Sequence, residues 1–255
     1  MTMRVTVLGC GTSGGVPRIG NDWGACDPNE PKNRRRRCSI LVDGDDGTRV
    51  LIDTSPDLRE QLLDAGVDRL DGVVWTHEHA DQAHGIDELR VLALRQQSRL
   101  RAWSDARTID VLSRRFDYCF VQPEGSWYPP IIDAHVIDGP FTVGDIRFIP
   151  IEQDHGTIPS HGFRIGDFAY SNDVVGLSDE AFEALEGVST WMVDGMRYRP
   201  HSTHANIETA LRWIERVGPA RAIITNMHVD LDYATLKAEL PAGVEPAYDG
   251  MVIEF

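Results

Sequence analysis

The stretch that most restricts this chain is residues 71–90, DGVVWTHEHADQAHGIDELR, which sets His77, His79, Asp81 and His84 within eight positions directly behind an apolar run. Val73-Val74-Trp75 reads as a short buried strand, and Thr76 opens the loop that follows. On an extended segment side chains alternate, so His77, His79 and Asp81 would project to one side and converge on one cavity. A solvated loop has no reason to set H-x-H-x-D against a hydrophobic strand, whereas a metal site needs its donors there. The helical zinc pattern H-E-x-x-H does not apply. His77 and His79 are two apart, and Glu78 points away from whatever they share.

Hydrophobic content is even along the 255 residues and no linker interrupts it, so residues 1–255 are expected to form a single domain. A formal net charge of −15 argues against a broad surface for extended nucleic acid or anionic membrane. The opening MTMRVTVLGCG runs straight into a strand, and no window is long and apolar enough to span a bilayer, so a soluble cytoplasmic protein is expected. Cys10, Cys26, Cys38 and Cys119 are scattered with no C-x-x-C pair and read as reduced thiols.

Taken in order, residues 3–8 alternate as a strand, and the following GCGTSG matches G-x-G-x-x-G. The dinucleotide reading fails because Gly15, Pro17 and Gly20 forbid the helix that must follow; the glycines instead suit a tight turn passing close to a site. Residues 21–37 form a polar excursion ending in four arginines, a run that is usually a solvated face and whose functional alternative is phosphate contact. Strands at 38–42 and 48–52 flank the hairpin signal DGDDG, and residues 57–66 read as a helix. Asp53, at the end of the second strand, either caps that helix or supports the histidine loop from behind. Residues 85–97 are predicted helical, and the section through Pro130 reads as further helix and loop.

The second half offers strands at 135–137, 141–143 and 146–150 and then His155, Asp173 and His228, each after an apolar strand-like run. One such residue is usually a satisfied core group or a turn aspartate; three of them, added to H-x-H-x-D, point to a site assembled from separate elements. His201 and His204 stand just before an amphipathic helix at 206–217, placed either to cap it or to meet a phosphate or donate a proton.

The ordered set Asp53, His77-x-His79-x-Asp81, His155, Asp173 and His228 resembles the metallo-β-lactamase superfamily. LGCGTSGGVP, KNRRRRCS, YSNDVVG, HSTHANIETAL and TNMHVDLDY look like its branch containing the phosphoribosyl cyclic phosphodiesterases of phosphonate breakdown (PhnP) and, more distantly, the transfer-RNA 3′-processing ribonucleases. The resemblance covers essentially the whole chain. It implies an α/β fold, a four-layer αββα sandwich, with two divalent ions, Zn2+ or Mn2+, at one edge of the sheets. His77, His79 and His155 would hold the first ion, Asp81 and His228 the second, with Asp173 bridging. Asp81 and His204 would be catalytic, and Ser13, Arg37, His201 and His204 would contact substrate.

Two departures from that pattern matter. Gln82 stands where the family continues with histidine, so the second site should be weaker or tilted toward manganese, unless His84 compensates. The N-terminal excursion has Cys26 in place of a cysteine cluster, so no structural zinc is expected and Trp23 and the arginines should hold the loop. The expected function is hydrolysis of a small cyclic or nucleotide-like phosphodiester. The alternatives are another hydrolase of the fold acting on an RNA end, thioester or lactone, and a non-catalytic nucleotide or metabolite binder. The sequence leaves room for a homodimer.

Overall fold

A computed structural model describes residues 3–255. Six strands of the first half, β1 (Arg4–Gly9), β2 (Ser39–Asp43), β3 (Arg49–Ile52), β4 (Gly72–Val74), β5 (Leu100–Ser104) and β6 (Ile132–Val136), lie side by side in chain order. The second half supplies β7 (Phe141–Val143), β8 (Ile146–Asp154), β9 (Pro159–Ile165), β10 (Phe168–Ser171), β11 (Thr190–Asp194), β12 (Arg221–Thr225) and β13 (Val244–Pro246), again in order, and β14 (Val252–Glu254) returns to pair with β1. Helices α1 (Leu58–Asp64), α2 (Ala80–Ala83), α3 (Leu89–Gln96), α4 (Ala106–Arg115) and α5 (Asp117–Phe120) accompany the first sheet. The second half carries α6 (Asp179–Leu185), α7 (Ile207–Val217) and α8 (Tyr233–Glu239). Two seven-stranded sheets flanked by helices make the expected αββα sandwich.

Period-two alternation explains the layers. Ile40, Val42, Val50, Ile52 and Val74 pack into the same core as Phe148, Phe163 and Tyr170 of the second sheet. Their neighbours Leu41, Leu51, Val73 and Trp75 face Leu58, Leu62, Leu89 and Leu92 of the helical layer. Each such fully buried aliphatic side chain contributes about 1.5–3 kcal/mol, so a one-residue slip of a strand would invert both layers at once.

Strands β3–β6 and β10–β13 are parallel and are joined through helices. Such sheets place loops at the carboxyl ends of their strands, and the chemistry-bearing residues leave from there. Asp53 follows β3, Thr76 and His77 follow β4, Asp173 follows β10, Asp194 ends β11, and Asn226 and His228 follow β12. His155 leaves β8, which runs four residues beyond the predicted 146–150.

Two expectations need correction. The section before Pro130 is not only helix and loop: Gln97, at φ 53, ends α3, and LRAWS then forms β5 inside the sheet. The four arginines are not all a solvated face: Arg34 is exposed and Arg36 and Arg37 are half-buried, but Arg35 is 1% exposed and donates through Nη2 to the Leu231 carbonyl at 2.8 Å. The excursion is held mainly by Arg35, Asn33 and Cys26. Asn33 donates to Asp232 at 2.6 Å and accepts from the Tyr233 amide at 2.7 Å, while Trp23 packs half-buried against Val16, Cys26 and Val229, with Arg34 5.6 Å from its ring. Gly11 of GCGTSG serves this same contact, because a Cβ there would meet the Arg35 Cβ at 2.9 Å.

Candidate metal centre

His77, His79 and His155 bring three imidazole nitrogens within 4.8 Å of one another. The ring centroids are 4.6–5.0 Å apart, and His155 Nε2 lies 3.2 Å from His79 Nδ1. Two tautomers follow from the hydrogen bonds. Thr76 Oγ1 lies 2.9 Å from Asp53 Oδ2 and 3.0 Å from His77 Nδ1. A hydroxyl has one proton; although burial pushes the Asp53 carboxyl well above the usual carboxylate range, its ionised form takes that proton, and the oxygen then accepts from His77 Nδ1–H and the lone pair is left on Nε2. That Nε2 is buried and has no partner. His155 Nδ1–H donates to the Thr203 carbonyl at 2.8 Å, which also leaves its lone pair on Nε2. Burial and the neighbouring imidazoles hold His77 well below the usual histidine range, and burial takes His155 down to about 4. Neutral, pre-oriented imidazoles with an orphaned buried nitrogen fit a zinc-class cation.

The backbone is shaped to present these groups. Asp53, Asp173 and Asn226 take left-handed conformations, φ 66, 53 and 59, just past their strands. Aspartate and asparagine tolerate that region better than other non-glycine residues, and here it turns each chain sharply across the sheet edge. Asp53 does not cap α1. It accepts from the Thr76 amide at 2.8 Å, while Asp57 stands at the helix start.

Asp173 and His204 join the centre from the second half. Asp173 Oδ1 is 3.8 Å from His155 Nε2 and 3.7 Å from His204 Nδ1. Burial pushes the Asp173 carboxyl well above the usual carboxylate range; His204 opposes this, and repulsion from Asp81, Asp194 and Asp53 adds to it. A pocket so short of positive charge is chemically suited to a cation. His204 Nδ1 pairs with the fully buried Asp194 at 2.8 Å. Burial disfavours a charged His204 ring, yet the hydrogen bond and charge of Asp194, with Asp173 and Asp81 adding, push it up to about 9.

The remaining predicted residues are placed less closely. Asp81 lies in α2, not on an extended segment as expected, and shares a cleft of about 560 Å³ with Ser13, Arg18 and Arg37. Arg37 Nε is 3.1 Å from Asp57. Gln82 is buried and donates through Nε2 to Asp173 Oδ2 at 2.9 Å. His228 Nε2 faces Arg18 Nη1 at 3.3 Å. Neither Asp81 nor His228 falls within a candidate metal cluster among the described residues. His201 lies beside His204, ring centroids 5.1 Å apart and tilted by 56°, and neither caps α7, because Asn206 accepts from the Thr209 amide. His84 packs on Phe116 at 5.2 Å and lies outside those clusters.

Residues not singled out from the sequence complete the site: Thr76, Asp194, Thr203, Arg18 and Asn226. Asp194 ends the apolar run WMV just as Asp53 ends VLI, so the strand-end rule that found the others also applied to it. Glu78 does turn away from the imidazoles, to accept from Arg107 Nε of α4 at 2.8 Å.

The sequence pattern of the β-lactamase superfamily domain matches residues 48–227. A crystal structure described as a new diphosphatase from the PhnP family superposes with a TM-score of 0.93 at 34% identity, covering 100% of this chain and 98% of that one. The chain belongs to the metallo-β-lactamase superfamily, in its PhnP branch. Two curated relatives of the superfamily member carry different names. An octanoyltransferase of Porphyromonas gingivalis is 34% identical over 256 residues, 98% of this chain and 51% of that protein, so the chain spans about half the relative's length. Coenzyme PQQ synthesis protein B of Xanthomonas campestris pv. campestris is 25% identical over 224 residues, covering 78% of this chain and 70% of that one. Superfamily membership and the similarity to a diphosphatase support a metal-dependent hydrolase, and no helix among the described residues is long and apolar enough to cross a membrane.

Proposed function

We propose that this superfamily member is a metal-dependent phosphodiesterase acting on a small cyclic or nucleotide-like phosphodiester. The observation that carries the reading is the juxtaposition of three zinc-suited imidazoles with a hydrogen-bonded Asp194–His204 pair, beside a cleft that holds Asp81, Ser13 and Arg37. Three imidazole ligands favour zinc over manganese. A divalent ion held by His77, His79 and His155 supplies Lewis acidity toward a phosphoryl oxygen and makes an attacking water available at neutral pH.

The chain's own groups do the rest. Asp81 orients the water on the side away from the leaving oxygen. Ser13 and Arg37 grip non-bridging oxygens, the guanidinium by its planar fork. His204, aimed by Asp194 and backed by His201, delivers its proton to the leaving oxygen as the P–O bond breaks. Asp53 acts through Thr76 to keep His77 in its tautomer, and Gln82 fixes the Asp173 carboxylate.

A phosphoanhydride is a second reading, favoured by the diphosphatase to which the chain is similar. Octanoyl transfer is not carried over from a relative twice this chain's length. A substrate panel under zinc, comparing phosphodiesters, a nucleoside diphosphate ester, a thioester and a lactone, tests the choice. Cleavage confined to the carboxyl esters would remove the phosphodiesterase, and nucleotide binding without turnover would identify a binding protein.

A further inference from the structure

We propose that this chain holds one divalent ion, and that the Arg18 guanidinium stands beside His228 in place of a second. The inference rests on what Asp173 and His228, two of the donors expected of a second ion, are doing, and it is independent of which ester is cleaved.

Asp173 Oδ2 already accepts two N–H groups, from Gln82 Nε2 at 2.9 Å and Asn172 Nδ2 at 2.6 Å. Turning the Gln82 amide over would set its oxygen against the carboxylate, so the hydrogen bond fixes the N–H end on Asp173, and the buried Oε1 is left without a partner. Asp173 Oδ1 is left to face His155 and His204. His228 Nε2 lies 3.3 Å from Arg18 Nη1, and a guanidinium can only donate, so Nε2 is the acceptor; Nδ1 lies 3.2 Å from Asp230 without forming a hydrogen bond. With the ring proton on the Asp230 side, the Nε2 lone pair takes a hydrogen from the guanidinium, and an imidazole nitrogen so used cannot also ligate a metal.

Arg18 is built into that position. Asp22 accepts from both its Nε, at 3.0 Å, and its Nη2, and the two residues also exchange backbone hydrogen bonds, which leaves Nη1 directed at His228. Gly14 lets the stem lie close, since a Cβ there would meet Arg18 Cγ at 3.2 Å. The group formed by His155, Asp173 and His204 does not offer a second ion a home. It shares its one free His155 nitrogen with the His77–His79 cluster, and His204 Nδ1 is taken by Asp194. A fixed monovalent cation therefore offsets part of the carboxylate charge that a second ion would otherwise balance.

The test is the ion count. Protein stripped by a chelator is dialysed to equilibrium against excess zinc and its metal content measured by elemental analysis. The expected result is one zinc per chain for the native sequence and two for Arg18→Ala combined with Gln82→His, which frees His228 and restores an imidazole. Two ions in the native protein overturn the proposal, as does one ion in a double variant whose circular dichroism is unchanged. His228→Ala provides the second arm, which stands even if the double variant fails to fold. It should keep one ion at unchanged affinity, and a fall of about tenfold or more, the size that disturbing a metal site produces, contradicts the proposal. A native protein with one ion and no phosphodiester turnover would remove the proposed function and leave this inference standing.

Discussion

Asp194 Oδ2 lies 2.8 Å from His204 Nδ1, and Asp194 also accepts from the Val174 amide at 3.2 Å, just past Asp173. One carboxylate thus fixes both the imidazole and the backbone that carries its neighbour. Asn206 and Ala205 anchor the segment from the other side, through Tyr198 and the Val174 carbonyl. His204→Ala should lower kcat by about 100-fold or more with the ion count unchanged. Asp194→Asn keeps the shape and removes the charge, so it should lower kcat with little change in Tm. A fall in Tm with kcat intact would reduce the pair to a structural contact.

The Asp53–Thr76–His77 chain predicts an effect on metal affinity. Thr76→Val preserves shape and deletes the hydroxyl that sets the His77 tautomer. Zinc affinity, measured by chelator competition, should fall by about tenfold. An unchanged affinity would mean that His77 orients itself without help.

Arg35 is expected to matter for stability rather than turnover. Arg35→Met removes the donor to the Leu231 carbonyl at 2.8 Å and to Asn33 Oδ1 at 3.1 Å, leaving the buried Leu231 carbonyl with only the weak Cys26 thiol donor. The loss should be at least about 2 kcal/mol in urea unfolding, with kcat changed little. A near-neutral result would show that water replaces the guanidinium.

Asp232 makes the same contact pH-dependent. Burial raises its pKa, but the Thr235 and Asp27 amides and the Asn33 side chain outweigh this and hold it down to about 2. A carboxylate with a depressed folded pKa contributes stability that is present above its unfolded value and is lost as pH falls through the folded one, here between about pH 4 and 2. Asp232→Asn should therefore be less stable than the native protein at pH 7 and lose less on acidification through that window. Urea midpoints at pH 7 and pH 3 check both signs.

Much of the candidate site is legible in the sequence because its donors share one address, the residue after a buried apolar run. His77, His155 and Asp173 stand there and come together in the fold, His228 stands there too but outside their clusters, and alternation in VTVL and RVLI separates the two faces of the first sheet. What it could not disclose depends on partners distant in sequence. Arg35 looked like one of four solvated arginines until Leu231 and Asn33 were folded over it. LRAWS was hidden by its exposed arginine and its position after a helix. Asp81 was expected on an extended segment, but α2 begins at Ala80 and turns it into the cleft. Arg18 and His228, far apart in sequence, meet only through the fold.

The measurement that bears most directly on the proposed chemistry is hydrolysis of bis(p-nitrophenyl) phosphate by protein stripped of metal and then reloaded with zinc or manganese, with His77→Ala as control. The expected result is turnover that disappears on chelation, returns with zinc, and is absent in His77→Ala although that variant remains folded. Turnover that survives chelation, or zinc-loaded protein that cleaves a thioester or lactone and leaves the diester intact, would contradict a metal-dependent phosphodiesterase.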